Sequence, residues 1–306
     1  MKSNQPHEPS QGLDPDVRYR EYMDLLEQAL EQALPLIPLP QVRLLDAMHY
    51  SLSSGGKRIR PALLLEFCRV SGGDYRLALP FACALEMIHT YSLIHDDLPC
   101  MDDDGMRRGR PASHKIFGEA TALLAGDALL TAAFETMLNP DLADRYPPRV
   151  IVEAAHQIAW ASGVYGMAGG QLLDLDEEAE HNIETVSRIH LLKTGALIEV
   201  AVTVGCLLGG ASPERSCEAA AFARCLGLVF QIKDDLLDMT GDPALLGKEV
   251  GRDRVKNKPS LALLLGVEEC RRMIDELTEQ AKEHLAIFED NSFLLWLADW
   301  LAGRET

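Results

Sequence analysis

Two clusters of aspartates in the sequence have the composition of a metal site. In the first cluster, five carboxylates fall within nine residues: Asp96, Asp97, Asp102, Asp103 and Asp104. Carboxylates this close repel one another and normally require cations, and hard oxygen ligands favour Mg²⁺. Pro99 lies inside the cluster and cannot donate a backbone N–H to a helix. We therefore expect the helix to break there, which lets Asp102 turn back towards Asp96.

The second cluster has helical spacing. Asp234 and Asp238 are four residues apart and Gln231 precedes Asp234 by about one turn, so the three share a helix face. Like charges at this spacing destabilise a helix unless something neutralises them, and a shared metal ion would do so. Either cluster alone is weak evidence, because a solvated acidic loop is the alternative for the first.

Two short basic segments supply the opposite charge. In the first, GGKRIRP at 55–61, paired glycines precede three cations and a proline close to the start of a helix. Such glycines let backbone N–H groups approach an anion, and the helix N-terminus adds partial positive charge. The second segment holds Arg107, Arg108 and Arg110. A basic surface loop is the alternative for the first segment alone; together with both acidic clusters, the cations indicate metal-bridged diphosphate chemistry.

Helices must position these groups, because the apolar pattern is helical almost throughout. After a first stripe that Pro35 ends, the predicted helices cover 41–53, 60–70, 75–98, 118–138, 147–162, 183–209, 213–239, 259–289 and 291–302. Alternating β-branched runs are absent, so we predict no strand. We expect residues 1–14 to be disordered and residues 15–306 to form a single all-α domain of about ten or more helices.

The amino-acid composition limits the kinds of partner that the protein is expected to bind. The formal net charge is −18, which disfavours binding to nucleic acid or anionic lipid. The sequence has no run of 18 consecutive apolar residues, so we predict no membrane-inserted helix, and the N-terminus has no apolar signal segment. The seven cysteines lack CxxC spacing, and we interpret them as reduced thiols of a cytoplasmic protein.

The motifs together resemble the trans-isoprenyl diphosphate synthases, and within them the bacterial-type farnesyl diphosphate synthases (geranyltranstransferases). The similar segments keep the order of that family: GGKRIRP at 55–61, EMIHTYSLIHDDLPCMDDDGMRRGRP at 86–111, GGQLLDLD at 169–176, KTG at 193–195, FQIKDDLLD at 230–238 and GK at 247–248. The resemblance covers roughly residues 15 to 266. It implies the isoprenoid synthase fold, a helical bundle around a central active-site cavity.

By this resemblance, Mg²⁺ is the cofactor, with three ions when the allylic diphosphate is bound. Asp96 and Asp102 would bind two of them with support from Asp97. Asp234 would bind the third, with Asp235 and Asp238 acting through water or by orienting the metal shell.

The resemblance also implies two diphosphate sites and a reaction region. The allylic diphosphate would be held by Arg107, Lys193 and Lys248. The isopentenyl diphosphate would be held by Gly56, Lys57, Arg60, His89 and Arg108. The region where the allylic cation forms would be lined by Gln171, Thr194 and Gln231. His95 and Lys233 are interpreted as structural, and a core histidine is the alternative for His89.

The resemblance implies a homodimer that condenses isopentenyl diphosphate with dimethylallyl and geranyl diphosphates to farnesyl diphosphate. Tyr91 and Ser92 would set the chain length, with an ordinary core role as the alternative for Tyr91. Geranylgeranyl or geranyl diphosphate synthesis is the alternative product assignment; a terpene cyclase or a non-catalytic subunit fits the motifs less well. Departures from the family pattern are Gly105, the segment after Lys258 and the C-terminal tail, which lacks a terminal lysine.

Overall fold

The computed structural model describes residues 13–34, 40–176, 182–240 and 260–304 of the 306-residue chain. Most of the predicted disordered N-terminal segment, Lys248, Lys258 and Pro259 lie outside these ranges. Asp14, which was assigned to that N-terminal segment, is described: its side chain accepts a hydrogen bond from the Asp16 N–H and caps the first helix.

The described chain is helical almost throughout, which confirms the predicted all-α class. Its α-helices are α1 (Pro15–Ala33), α2 (Val42–Leu52), α3 (Ile59–Val70), α4 (Leu79–Asp96), α5 (Ser113–Phe117), α6 (Glu119–Met137), α7 (Pro148–Ser162), α8 (Met167–Asp174), α9 (Ile183–His190), α10 (Ala196–Gly209), α11 (Pro213–Thr240), α12 (Leu261–Leu265), α13 (Val267–His284) and α14 (Ser292–Gly303). Short 3₁₀ turns cover Pro140–Asp144 and Leu285–Ile287.

The core is built around α3, α4 and α10. Helix α4 packs against α3 and α6, while α10 packs against α3, α7 and α11. These helices are apolar on nearly every side, as expected of helices enclosed by others rather than lying at a surface. Ten of the eighteen residues of α4 are buried, so the helix is held rigidly up to the first aspartates at its C-terminal end.

Three segments differ from the sequence prediction. Residues 183–209 do not form one regular helix, because a π-helical turn at Leu191–Gly195 separates α9 from α10. The predicted helix at 259–289 is interrupted at Gly266, whose φ of 84° is left-handed and whose carbonyl accepts from the Cys270 N–H. A two-stranded antiparallel ladder, β1 (Met106–Arg107) and β2 (Arg110–Pro111), stands where no strand was predicted.

Two helical segments, Glu119–Asp144 and Ile183–Gly209, are long and apolar enough to pass a length-and-composition test for a membrane span. Buried helices of soluble proteins pass the same test, so it is weak evidence of a membrane. The most apolar window of the first segment is 33% buried and that of the second is 56% buried. Helix α6, in the first segment, packs on α4, and α10, in the second, packs on α3.

The contact between α3 and α10 depends on a glycine. A Cβ atom at Gly205 would lie 2.5 Å from the Leu64 carbonyl oxygen and 2.9 Å from the Phe67 Cβ. Any side chain there would have to push the two helices apart. The close approach of the two central helices therefore requires glycine at this position.

Gly205→Ala is expected to destabilise the protein by about 1–3 kcal/mol, the usual cost of overpacking a core. Denaturant unfolding monitored by circular dichroism measures the change. Gly303→Ala is the matched control, because a Cβ atom there meets no atom within 4 Å. Equal stability of the two variants would contradict the packing role assigned to Gly205.

Candidate active site

The first aspartate cluster lies where α4 ends and the chain reverses. Helix α4 ends at Asp96, and the Asp102 N–H donates to the Asp96 carbonyl oxygen at 2.8 Å. The Asp104 N–H donates to the Asp97 carbonyl oxygen at 3.2 Å. The predicted break around Pro99 is confirmed, and these hydrogen bonds bring the backbone of Asp102 back to Asp96.

The Asp96 carboxylate is poorly compensated. Burial raises the pKa of Asp96 to about 6, with Asp102 adding to the rise and Lys193 opposing it. An aspartate that keeps its proton this far above the usual range lacks cations to stabilise its charged form. A bound divalent ion would supply them, so Asp96 and Asp102 fit a Mg²⁺ site by their chemistry.

Asp97 and Arg107 form a separate ion pair behind this carboxylate. The Arg107 Nε donates to Asp97 Oδ1 at 3.0 Å, and Arg107 Nη2 lies 3.6 Å from Asp104 Oδ2. Asp97 is buried, and burial raises its pKa while Arg107 lowers it. The pair ties β1 to the end of α4. In this structure Arg107 is thus committed to Asp97, whereas the resemblance assigned it to the allylic diphosphate.

The β-hairpin carries the next arginine to a different place. Arg108 and Gly109 form its turn, with φ of 51° and 74°, the positive values of a tight two-residue hairpin. The Arg108 guanidinium donates to the Gly55 carbonyl oxygen. It fills the space that a side chain at Gly56 would need, since an added Cβ would lie 2.5 Å from the Arg108 Cζ. The hairpin therefore joins the two basic segments.

These segments form a cavity of about 450 Å³ lined largely by cationic groups. The basic residues that line it include Lys57, Arg60, His89, Arg108 and Arg304. Arg60 Nη1 lies 3.5 Å from His89 Nε2. Within the described residues, the buried Arg60 Nε has no hydrogen-bond partner. The structure thus brings together all five residues predicted to hold isopentenyl diphosphate, including Gly56.

The pKa values of three basic groups in this cavity are lowered, because these groups are partly desolvated and lie close to one another. Burial lowers the pKa of Arg60 to about 10, with nearby Arg108 lowering it further. Burial, Arg60 and Arg108 hold the pKa of His89 well below its usual value, so His89 is neutral near pH 7. The pKa of Arg108 is also lowered, chiefly by burial. A site with this imbalance is suited to a multiply charged anion.

The middle cation of GGKRIRP, Arg58, also lines this cavity, but carboxylates neutralise its charge. Arg58 has a left-handed φ of 44°, which turns its side chain into the core. There it donates to Glu86 at 2.5 Å, to Glu27 at 2.9 Å and to the Leu52 carbonyl oxygen at 2.5 Å. The buried pair of Arg58 and Glu86 supports the loop and forms part of the cavity wall, where Glu86 is an acidic residue among the basic ones.

The second aspartate cluster contains three different environments on α11. Asp234 has a side chain that is 40% exposed and accepts from Arg304 Nη2 at 2.7 Å. Asp235 is buried and accepts from the Leu261 N–H at 2.7 Å, so it anchors α12 to α11. Asp238 is buried as well. Asp234 is therefore the accessible carboxylate of the cluster, whereas Asp235 is engaged with the backbone of α12.

The π-helical turn presents Lys193 and Thr194 opposite α4. Gly170 of α8 makes room for it, because a Cβ atom there would lie 2.7 Å from the Lys193 Cα. Lys193 Nζ binds Asp174 Oδ2 at 2.8 Å. The neighbouring Gln171 is buried, and neither atom of its amide has a hydrogen-bond partner within the described residues. The wider turn thus places polar groups on a cavity wall.

That wall belongs to a second cavity, of about 390 Å³, between α4, α8 and the π turn. Its polar end holds Asp96, Gln171, Lys193 and Thr194, and its apolar lining includes Tyr91 and Ser92 together with Met101, Met167, Leu172 and Leu197. Arg60 and His89 line this cavity and the cationic one. The two cavities therefore meet at Arg60 and His89, with an apolar compartment on one side and an anion site on the other.

Two predicted residues are less well placed by the structure. Gln231 lies on α11, one turn before Asp234, but no contact of its side chain is described. Lys248 lies outside the described residues. Within the described part of the chain, no three His, Cys, Asp or Glu side chains converge closely enough to hold a metal ion by themselves.

Comparison with known proteins identifies the family of the chain. The polyprenyl synthetase family model matches residues 41–290. The chain belongs to the polyprenyl synthetase family. It is therefore a prenyltransferase of isoprenoid biosynthesis.

Its relatives include one bacterial and one plant protein that are equally identical to this chain. A farnesyl diphosphate synthase of Geobacillus stearothermophilus is 42% identical over 93% of this chain and 96% of its own. The large subunit 1 of the heterodimeric geranylgeranyl pyrophosphate synthase of Arabidopsis thaliana is 42% identical over 92% of this chain and 77% of its own.

The fold agrees with solved structures of the same kind. An FPP/GFPP synthase from Zymomonas mobilis superposes with a TM-score of 0.83 and 35% identity, covering 95% of this chain and 100% of its own. The fold predicted from the motifs is thereby confirmed.

Sequence reasoning missed three residues of this polyprenyl synthetase site: Glu86, Asp174 and Arg304. Glu86 is a lone charge in an apolar helix, which is a usable signal for a buried ion pair. Asp174 stands in the quoted GGQLLDLD segment, but its pairing with Lys193 depends on the π turn, which the sequence did not predict. Arg304 was noticed only as part of a tail without a terminal lysine.

The buried ion pair of this polyprenyl synthetase gives a stability test. Glu86→Gln leaves Arg58 without its buried counter-ion and is expected to destabilise the protein by about 3–5 kcal/mol. Glu27→Gln is the matched control, since it removes a partner of the same guanidinium that is 50% exposed and should cost at most about 1 kcal/mol. Denaturant unfolding measures both; similar losses in the two variants would contradict the role of the buried pair.

Proposed function

We propose that the protein is a Mg²⁺-dependent farnesyl diphosphate synthase, which condenses isopentenyl diphosphate with dimethylallyl and then geranyl diphosphate. The observation that carries the product assignment is the aromatic ring of Tyr91 in the apolar cavity. Tyr91 lies five residues before Asp96 on α4, roughly 7.5 Å deeper along the helix axis at 1.5 Å per residue. A ring at that depth would stop a growing chain early.

The cationic cavity supports the binding of isopentenyl diphosphate. Lys57, Arg60 and Arg108 supply positive charge from two different segments, and the charge imbalance there matches an anion. The His89 ring stands between this anion site and the reaction region, where neutral imidazole can orient the substrate by a hydrogen bond. The diphosphate would be held with its double bond facing the second cavity.

The polar end of the second cavity supports the binding of the allylic substrate. Its diphosphate would lie between Asp96 and Asp102 on one side and Lys193 on the other. Mg²⁺, when bound, would neutralise the charge that builds on the diphosphate as its carbon–oxygen bond breaks. Among the described residues no complete protein cage for the ion is present. Mg²⁺ usually takes one or two carboxylates together with substrate phosphates.

The protein's own groups would then govern the new bond. Thr194 and Gln171 present hydroxyl and amide oxygens at the wall, where they stabilise positive charge on the allylic fragment. The apolar lining excludes water, which would otherwise capture that fragment. The isopentenyl double bond attacks the allylic carbon, and the proton lost from the adduct passes to the departing diphosphate.

Geranylgeranyl diphosphate synthesis is the second candidate. The Arabidopsis relative, named a geranylgeranyl pyrophosphate synthase subunit, is as similar to this chain as the bacterial farnesyl diphosphate synthase. Chromatography of the product made from dimethylallyl and isopentenyl diphosphates with Mg²⁺ separates the two. A main product of fifteen carbons supports the proposal, and one of twenty carbons supports the alternative.

Tyr91→Ala is expected to shift the main product from fifteen carbons to twenty or more, because it removes the ring that closes the cavity. Total consumption of the allylic substrate should change far less than the product ratio. Tyr165→Ala is the matched control, since that ring is 62% exposed and lies outside the apolar cavity. An unchanged fifteen-carbon product in Tyr91→Ala would return Tyr91 to a core role.

Asp96→Asn is expected to abolish turnover while raising the stability of the metal-free protein. The pKa of folded Asp96 is about 6, against an ordinary 3.8, so folding loses stability from this group as pH rises between those values. The stabilisation by Asp96→Asn should therefore be larger at pH 7 than at pH 5, by roughly 2–4 °C for about 1 kcal/mol. Thermal unfolding at both pH values measures it. A pH-independent difference would contradict the raised pKa of Asp96, and near-normal turnover would contradict its role as a metal ligand.

We also propose that the protein is a cytoplasmic homodimer. Leu123 and Leu124 on α6 and Val152 on α7 are exposed on neighbouring helices, and a second copy would cover them. All seven cysteines are unpaired thiols, as a reducing compartment would keep them. Light scattering of the purified protein tests the dimer.

A further inference from the structure

A histidine next to the first aspartate cluster contacts the ring that closes the apolar cavity. Tyr91 and His95 are one turn apart on α4, and both line this cavity. Their ring centroids are 5.7 Å apart with an interplanar angle of 80°, an edge-to-face contact. No hydrogen bond within the described residues holds the Tyr91 side chain. The position of its ring therefore depends on packing, and His95 is its aromatic neighbour.

His95 itself is held from α6. Its Nε2 lies 3.0 Å from the Leu123 carbonyl oxygen, so the ring carries its proton on Nε2 and donates it to that oxygen. Asp127 is the other polar group nearby, with its Oδ1 3.8 Å from the same nitrogen. A hydrogen bond to a helix carbonyl fixes the ring plane, and through it the edge that faces Tyr91.

Gly126 provides the space that the His95 ring occupies. A Cβ atom at Gly126 would lie 3.0 Å from the His95 Cε1 and closer still to its Nε2 and Cδ2. Position 126 is an ordinary helical position on α6, without a positive φ that would require glycine. The glycine is thus explained by the close approach of the imidazole ring, which α4 packs against α6.

We propose that Gly126, His95 and Tyr91 form one unit, the Gly126–His95–Tyr91 brace, and that α6 sets product length through it. His95 is a positioning residue: it does not touch the growing chain's reacting atoms but fixes where the Tyr91 ring stands. This inference rests on the proposed function, in which the Tyr91 ring limits the chain. It assigns a specificity role to α6, which contributes no residue to the cavity lining.

The brace predicts opposite effects from its two ends. His95→Ala removes the edge-to-face neighbour, so Tyr91 can swing into the vacated space and the ratio of twenty- to fifteen-carbon product should rise roughly two- to tenfold. Gly126→Ala displaces the imidazole from its present position, because the new Cβ would overlap the ring. We expect the ring to move towards Tyr91 and the cavity, so product should shift towards ten carbons. The double variant His95→Ala/Gly126→Ala should behave like His95→Ala, because the clashing ring is gone.

Product chromatography of these variants, with thermal unfolding to confirm that each is folded, tests the brace. In a Tyr91→Ala background, His95→Ala should add no further lengthening if His95 acts through Tyr91. His95→Asn provides a second variant that lacks the ring while keeping an amide donor, and it should lengthen the product as well. Asp127→Asn is the matched control: it changes the neighbouring charge but keeps the ring contact, and its product ratio should be unchanged.

The brace is overturned if His95→Ala and His95→Asn keep the product ratio of the unaltered protein, if Asp127→Asn lengthens the product as much as they do, or if the effects of His95→Ala and Tyr91→Ala simply add. If the unaltered protein makes mainly twenty carbons, the farnesyl assignment fails. The brace is then still judged by the change of ratio relative to the unaltered protein.

Discussion

The reversal of the chain after α4 is the constraint on which the rest of the site depends. Its hydrogen bonds bring the backbone of Asp102 back to Asp96, which sits at the end of a rigid buried helix. The same reversal leads into the β-hairpin, whose arginines Arg107 and Arg108 contact different partners. Arg107 pairs with Asp97 behind the carboxylates, and Arg108 crosses to the Gly55 carbonyl oxygen. One short segment thus builds the acidic wall and half of the cationic one.

Charge is arranged against the overall field of the molecule. The chain carries a net charge of −18, yet Arg60 and Arg108 are partly buried, with lowered pKa values, in one cavity. Asp96 shows the opposite charge imbalance, because burial raises the pKa of its carboxyl group. Each wall is short of the charge that a metal-bound diphosphate would bring. This charge imbalance destabilises the free protein and favours the binding of a metal-bound diphosphate. The buried Arg58–Glu86 pair holds the loop in place.

The sequence predicted the helical class, the break near Pro99 and the basic segment at 55–61, because each has a local signal: apolar periodicity, a proline, or glycines next to cations. The grouping of Gly56, Lys57 and Arg60 with His89 and Arg108 in one site came from the family resemblance. It did not predict the π turn, because α10 is apolar on nearly every side and a shift of its faces by one residue leaves no visible change in the pattern. The hairpin was missed because its strands are two residues long and carry no alternation. Pairings such as Lys193 with Asp174, and Arg304 with Asp234, join distant segments and have no sequence signal.

Product length differs in kind from the chemistry it limits. Every product of this reaction is itself an allylic diphosphate, so the groups that bind and ionise it would accept it again, and they cannot count carbons. Only the depth of the apolar cavity distinguishes one product from the next. A turn of α4 rises about 5.4 Å, close to the length of one five-carbon unit. A ring displaced by about one turn would therefore change the product, so the proposed role of Tyr91 depends on the contact with His95 as well as on the ring itself.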